Sequence, residues 1–238
     1  QLVQAKTIYE QLLAKQPEHC DALHLMGVIA LQSNNATLAA ELIGRAIAIN
    51  PNQAIAYNNL GNALLELARP EEALNSFDRA LALNPDQADT LYNRANTLKK
   101  LNRSEEALAS YDKAIVLNPD DAGALYNRGN ILLKLNRLDK ALASFERAIA
   151  LSPDYSEAFN NRGNVLQKLK RLNEALASYD KAIALNPGSA EMFNNHGGTL
   201  FELKRMDEAL ASYDKAIALN PYYAEALSNR GEALRELN

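Results

Sequence analysis

Apolar and small residues fall at three- and four-residue steps in blocks of about a dozen, and the blocks come in pairs. Between Ala88 and Asp121, Leu91, Ala95, Leu98 and Leu101 form one stripe. Ala107, Leu108, Tyr111, Ala114, Ile115 and Leu117 form a second. Each stripe predicts an amphipathic helix. Asn102-Arg103 separates them, and Ser104 followed by Glu105 and Glu106 predicts an N-cap with acids in the first turn. Asn118-Pro119 predicts the end of the second helix, because the residue before proline is pushed out of the α region. Asp120 or Asp121 then caps the next. Turns this short make consecutive helices antiparallel neighbours.

The pattern returns every 34 residues, marked by Pro17, Pro51, Pro85, Pro119, Pro153, Pro187 and Pro221, with only Pro70 off the interval. A fixed period with one proline per unit predicts a helical repeat array. Small residues form columns: Gly27, Gly61, Ala95, Gly129, Gly163, Gly197 and Gly231 in the first helices, and two alanine columns, opened by Ala39 and Ala46, in the second. A glycine inside a helix costs about 1 kcal/mol relative to alanine, so this column predicts close helix crossing. Between the alanine columns stands a large residue, Ile43, Phe77, Tyr111, Phe145, Tyr179 or Tyr213, which is expected in the core.

A large residue, Gly and Leu in the first helix, then Ala, an aromatic, Ala and Pro, resembles the tetratricopeptide repeat over the whole chain. The resemblance implies an all-α, right-handed superhelical α-solenoid of antiparallel helix pairs. Its expected divisions are a half unit at 1–19, full repeats at 20–53, 54–87, 88–121, 122–155, 156–189 and 190–223, and a half unit at 224–238. It implies first helices lining a concave groove that takes extended peptides or partner helices, and no catalysis. The phrases LYNRGN and EALASYDKAIALNP are similar to long bacterial arrays. Some of those precede a glycosyltransferase domain like that of the O-linked N-acetylglucosamine transferases, so the chain is expected to be a scaffold or a non-catalytic arm.

On the groove-facing side one site holds Asn59, Asn93, Asn127, Asn161, Asn195 and Asn229, and a second holds Asn62, Asn96, Asn130 and Asn164. Asparagine is a poor helix former, so helical propensity does not explain the columns. A side-chain amide offers two donors and an acceptor and can pair with the backbone of an extended peptide whatever its side chains. The columns are similar to the asparagine ladder of the O-linked N-acetylglucosamine transferase arrays. The alternative is that one or both columns brace neighbouring helices. A basic clamp for a chaperone C-terminus is disfavoured, because Asp21, Asp89, Glu157, Glu191 and Glu225 stand where it would sit.

Arg94, Arg128, Arg162, Arg230 and His196 each follow an acid of the preceding unit: Asp78, Asp112, Glu146, Asp214 and Asp180. Inter-repeat pairing is expected, and it lapses where Gly44 precedes Leu60. The first full unit departs from the ladder with Leu25 and Val28, an apolar patch serving a partner or preceding sequence. Leu12, Leu13, Leu227 and Leu234 are expected to be exposed on the two half units, which could stack head to tail between molecules. His19, Cys20 and His24 supply too few ligands for a zinc site, which takes four, or three plus water. No metal or cofactor is expected. A net charge of −4 with interspersed signs recommends no nucleic acid, and no stretch is apolar enough to span a membrane. A protein or peptide partner and a cytoplasmic location are expected, the periplasm remaining open because the chain starts at Gln1 without a signal segment.

Overall fold

The computed structural model describes residues 2–237, with side chains from residue 4. Among these residues all regular structure is helical: fourteen helices in the order α1 Leu2–Lys15, α2 Cys20–Gln32, α3 Ala36–Ile49, α4 Ala54–Glu66, α5 Pro70–Leu83, α6 Ala88–Lys100, α7 Ser104–Leu117, α8 Ala122–Lys134, α9 Leu138–Leu151, α10 Ser156–Lys168, α11 Leu172–Leu185, α12 Ala190–Glu202, α13 Met206–Leu219 and α14 Ala224–Leu237. They fall into two compact units, Gln1–Pro119 and Asp120–Asn238. In each unit the chain pairs helices into hairpins, and each hairpin packs on the next through consecutive helices.

In the first unit α2–α3, α4–α5 and α6–α7 are the hairpins, and α1 covers α2. Ala39, Ala46, Ala73, Ala80 and Ala107 are buried, as are Ile43, Phe77 and Tyr111 between them. The glycine column makes room for these side chains: a Cβ at Gly27 would stand 2.5 Å from Ile43, and one at Gly61 2.5 Å from the Phe77 ring. Ala95, at the same position opposite Tyr111, is fully buried, so the site can house one methyl. Leu13 and Tyr9 of α1 pack on Leu23, Met26, Leu42 and Ala46. Leu12 and Leu13 are therefore half-buried, a correction to their expected exposure. Among the described side chains of α1, the large apolar one left exposed is Ile8.

The second unit repeats the plan in α8–α9, α10–α11 and α12–α13, with α14 packed on α13. Phe145, Tyr179 and Tyr213 are buried opposite Gly129, Gly163 and Gly197. A Cβ at Gly231 would meet nothing within 4 Å. On α14 only Ala226 and Ala233 are buried, while Leu227 and Leu234 are exposed.

Each hairpin turns through one left-handed residue: Asn34, Ala68, Asn102, Asn136, Lys170 or Lys204, all with φ between 56° and 62°. At the α6–α7 turn Asn102 N–H donates to the Lys99 carbonyl and Arg103 N–H to that of Leu98, a Schellman closure that caps the first helix. Ser104 is the first helical residue of α7 rather than its cap, which is Arg103. In place of a side-chain cap, Arg103 grips Glu106 one turn on with two bonds of 2.7 and 2.6 Å, as Arg69, Arg171 and Arg205 grip Glu72, Glu174 and Glu208. Asp121 caps α8, its carboxylate accepting from Ala124 N–H.

Candidate functional site

The first helices place both asparagine columns on one half-buried face of each unit. In the first unit Asn59 Nδ2 lies 2.9 Å from His24 Nε2, and Asn93 Nδ2 donates to Asn58 Oδ1 at 3.4 Å. In the second unit Asn195 donates to Asn160 at 3.1 Å and Asn229 to Asn194 at 3.0 Å. Each of these four amides thus reaches back 35 residues, to the residue just before the preceding ladder position. Asn58, Asn160 and Asn194 accept through Oδ1, and His24 stands at the same repeat position with Nε2. Asn160 and Asn194 are buried, so their pairing also answers the need of buried amides for partners.

An amide nitrogen carries two N–H groups, and this bracing uses one. In Asn93, Asn195 and Asn229 the second N–H and the Oδ1 have no hydrogen-bond partner among the described residues. Asn161 differs. Its Nδ2 donates to Asn130 at 2.8 Å and Tyr126 at 3.2 Å, while its Oδ1 accepts from Asn160 and Asn164. Its amide is spent within the protein. Asn127 also has a partner.

The second column is tied to the core. Tyr111 donates its hydroxyl to Asn96 Oδ1 at 2.6 Å, and Tyr179 does the same to Asn164 at 2.7 Å. Phe77 offers no hydroxyl, and Asn62 has no hydrogen-bond partner among the described residues. Burial raises the pKa of Tyr111 and of Tyr179, keeping both phenols protonated as donors.

Beneath the ladder, Arg94 Nε donates to Asp78 and its Nη1 to Ser110 Oγ, both at 2.6 Å. Arg230 pairs with Asp214 at 2.6 Å, and Arg162 lies 3.9 Å from Glu146. His196 places Nε2 3.3 Å from Asp180 and Nδ1 2.9 Å from Ser212 Oγ. Arg128 bonds Ser144. The serine completes the station: Ser110 and Ser144 accept from Arg94 and Arg128, and Ser212 lies against the His196 ring. Where Gly44 and Leu60 replace acid and arginine, an open cavity of about 520 Å³ appears instead.

Leu25 is exposed and Val28 half-buried, so this apolar patch is accessible. Cys20 donates to the Ala46 carbonyl at 3.3 Å, and burial together with Asp21 pushes its pKa up. His19 caps α2, its Nδ1 accepting from Ala22 N–H. Burial lowers the pKa of His24, keeping the ring neutral so that Nε2 can accept from Asn59.

Profiles of the tetratricopeptide repeat match residues 4–54, 54–87, 92–156 and 156–189, and one for the TPR repeat matches 197–238. The chain belongs to the tetratricopeptide-repeat family. It is similar to YrrB, described as a TPR protein with an unusual peptide-binding site, at 31% identity over 81% of this chain and 100% of that one, with TM-score 0.73. TTC0263, a thermophilic TPR protein of Thermus thermophilus, shares 28% identity over 77% of this chain and 100% of that one, with TM-score 0.57. The Pseudomonas aeruginosa PilF structure, at 22% identity, covers 92% of this chain and 99% of its own with TM-score 0.75, a likeness of fold. No curated protein matches the chain in sequence. As a tetratricopeptide-repeat chain it is a scaffold for protein interaction, in a family of typically non-catalytic proteins. No helix among the described residues is long and apolar enough to cross a membrane.

Proposed function

We propose that the asparagine face of each unit binds an extended peptide through its backbone. The observation that carries this reading is the half-spent amide. One N–H of Asn93, Asn195 and Asn229 fixes the side chain to the neighbouring repeat, leaving an N–H and a carbonyl oxygen for a ligand. A peptide unit presents the complementary pair, one acceptor and one donor. Preorganised side chains lose little rotamer freedom on binding. Peptide binding by the similar YrrB supports the reading. The test is fluorescence anisotropy with labelled, unstructured peptides. Asn195→Ala with Asn229→Ala is expected to weaken binding at least tenfold, with helical circular dichroism unchanged. Equal affinity would overturn the proposal.

Self-association through the end helices is a second reading. Leu227 is 47% exposed, whereas Leu23 and Leu125 at the matching position of other repeats are each 1% exposed. A second copy presenting Ile8 of α1 would cover this face. Sedimentation equilibrium should then show concentration-dependent growth that Leu227→Lys abolishes; a monomer at all concentrations removes the reading.

A further inference from the structure

The last full repeat breaks the coupling between core tyrosine and second-column asparagine. Fifteen residues before Tyr111 and Tyr179 stand Asn96 and Asn164, which accept the two hydroxyls. Fifteen residues before Tyr213 stands Gly198. Tyr213 is buried, at 2% exposure, but unlike its counterparts its hydroxyl has no hydrogen-bond partner among the described residues and stays open to solvent. A Cβ placed on Gly198 would meet that hydroxyl oxygen at 3.9 Å and the Gln167 Nε2 also at 3.9 Å, with no other atom closer. A notch the size of the missing asparagine side chain therefore opens on the ladder face, with a phenol aimed into it.

The surroundings select what fills it. Gln167 is already committed, donating to Glu202 at 2.7 Å, and forms a fixed wall. Burial raises the Tyr213 pKa to about 12, assisted by the carboxylates of Glu232 and Glu225, so the phenol remains a donor. These carboxylates and Glu202 repel an anionic acceptor. A neutral oxygen is favoured, and a group that also carries N–H donors suits the acidic rim.

We infer that the Gly198 notch is a subsite for a primary amide, the side chain of a glutamine or asparagine in the bound peptide, whose carbonyl oxygen accepts the Tyr213 hydroxyl as Asn96 and Asn164 do within the protein. This rests on the backbone-binding reading of the ladder and adds a side-chain preference to it at one position. The peptide supplies the residue that this repeat lacks.

The experiment uses the whole chain and fluorescein-labelled Ala/Ser peptides with one central residue set to Gln, Ala, Glu or Lys. The Gln peptide is expected to bind roughly tenfold more tightly than the Ala peptide, the worth of one well-made hydrogen bond. Tyr213→Phe and Gly198→Asn should each bring the Gln and Ala peptides to parity while leaving Ala-peptide affinity intact. Both variants should fold, since Phe145 and the Asn164–Tyr179 pair occupy the same positions in neighbouring repeats. Asn195→Ala with Asn229→Ala should instead weaken all four peptides alike. Binding without a Gln preference, a preference for Lys, or a Gln preference that survives Tyr213→Phe overturns the subsite and leaves the ladder standing. If no peptide binds, both ideas fall.

Discussion

At the scale of single residues, the hairpin turns show how a repeat tolerates imperfect local chemistry. The left-handed position holds asparagine three times, lysine twice and alanine once, Ala68 at φ 57°. A left-handed L-residue costs roughly 1–2 kcal/mol, and asparagine offsets part of this through local hydrogen bonding. Ala68→Gly removes the steric term but loosens the unfolded chain, so a net stabilisation of about 0.5–1 kcal/mol is expected. Ala68→Val should destabilise, and urea midpoints will order the three. The glycine column obeys a different balance. Gly163→Ala gains about 1 kcal/mol of helix propensity against a Cβ 2.6 Å from the Tyr179 ring, and Ala95 shows that a methyl can be housed there. A near-neutral change is expected. Gly163→Leu has no such precedent and should cost about 1–3 kcal/mol or more by overpacking.

At the scale of elements, helix pairs are registered by three cross-repeat devices, and they differ in how openly the sequence shows them. Prolines, small residues and the buried aromatic column are legible because each is constrained by sterics, which admits few residue types. The arginine–acid pairs are legible because charge signs match across the period. The ladder is half legible: its constancy announces a role, but the position that answers it is mixed, asparagine at Asn58, Asn160 and Asn194, His24 and Tyr126 elsewhere. At Asn161 the amide meets four side chains of the protein, Tyr126, Asn130, Asn160 and Asn164, a density of contacts that the repeat period alone does not show. The charge station yields a direct test, because the chain contains its uncharged version in Gly44 and Leu60. Arg94 and Asp78 have side chains 22% and 47% exposed, so the pair should be worth about 0–1 kcal/mol. Asp78→Gly alone leaves Arg94 without its carboxylate and should destabilise. Adding Arg94→Leu should recover most of the loss, read as a positive coupling in a double-mutant cycle. Strict additivity would mean that the pair does not register the repeats.

For the molecule as a whole, stability is a sum over neighbouring repeats, so its dependence on pH collects the buried titrating groups. At the acid end, burial lowers the pKa of His24 and of His196 below their ordinary values. Between those lowered values and the usual histidine pKa of about 6.5, the unfolded chain binds protons that the folded chain does not. Stability therefore falls as pH drops below about 6.5. His24→Asn places the residue found at position 58 opposite Asn59 and should flatten part of that slope. At the alkaline end the sign reverses in origin but not in outcome. Tyr111, Tyr179 and Tyr213 keep their protons above the ordinary tyrosine pKa because burial opposes the phenolate. Above about pH 10 the folded state holds protons that the unfolded state has released, and stability declines by up to about 1.4 kcal/mol per pH unit for each tyrosine. Phe77 and Phe145 fill the same site without a phenol. Replacing the three tyrosines by phenylalanine should leave the fold intact and make the urea midpoint less sensitive to pH between about 10 and 11 than in the parent. If the two profiles run parallel through that interval, these phenols are not the groups that limit alkaline stability.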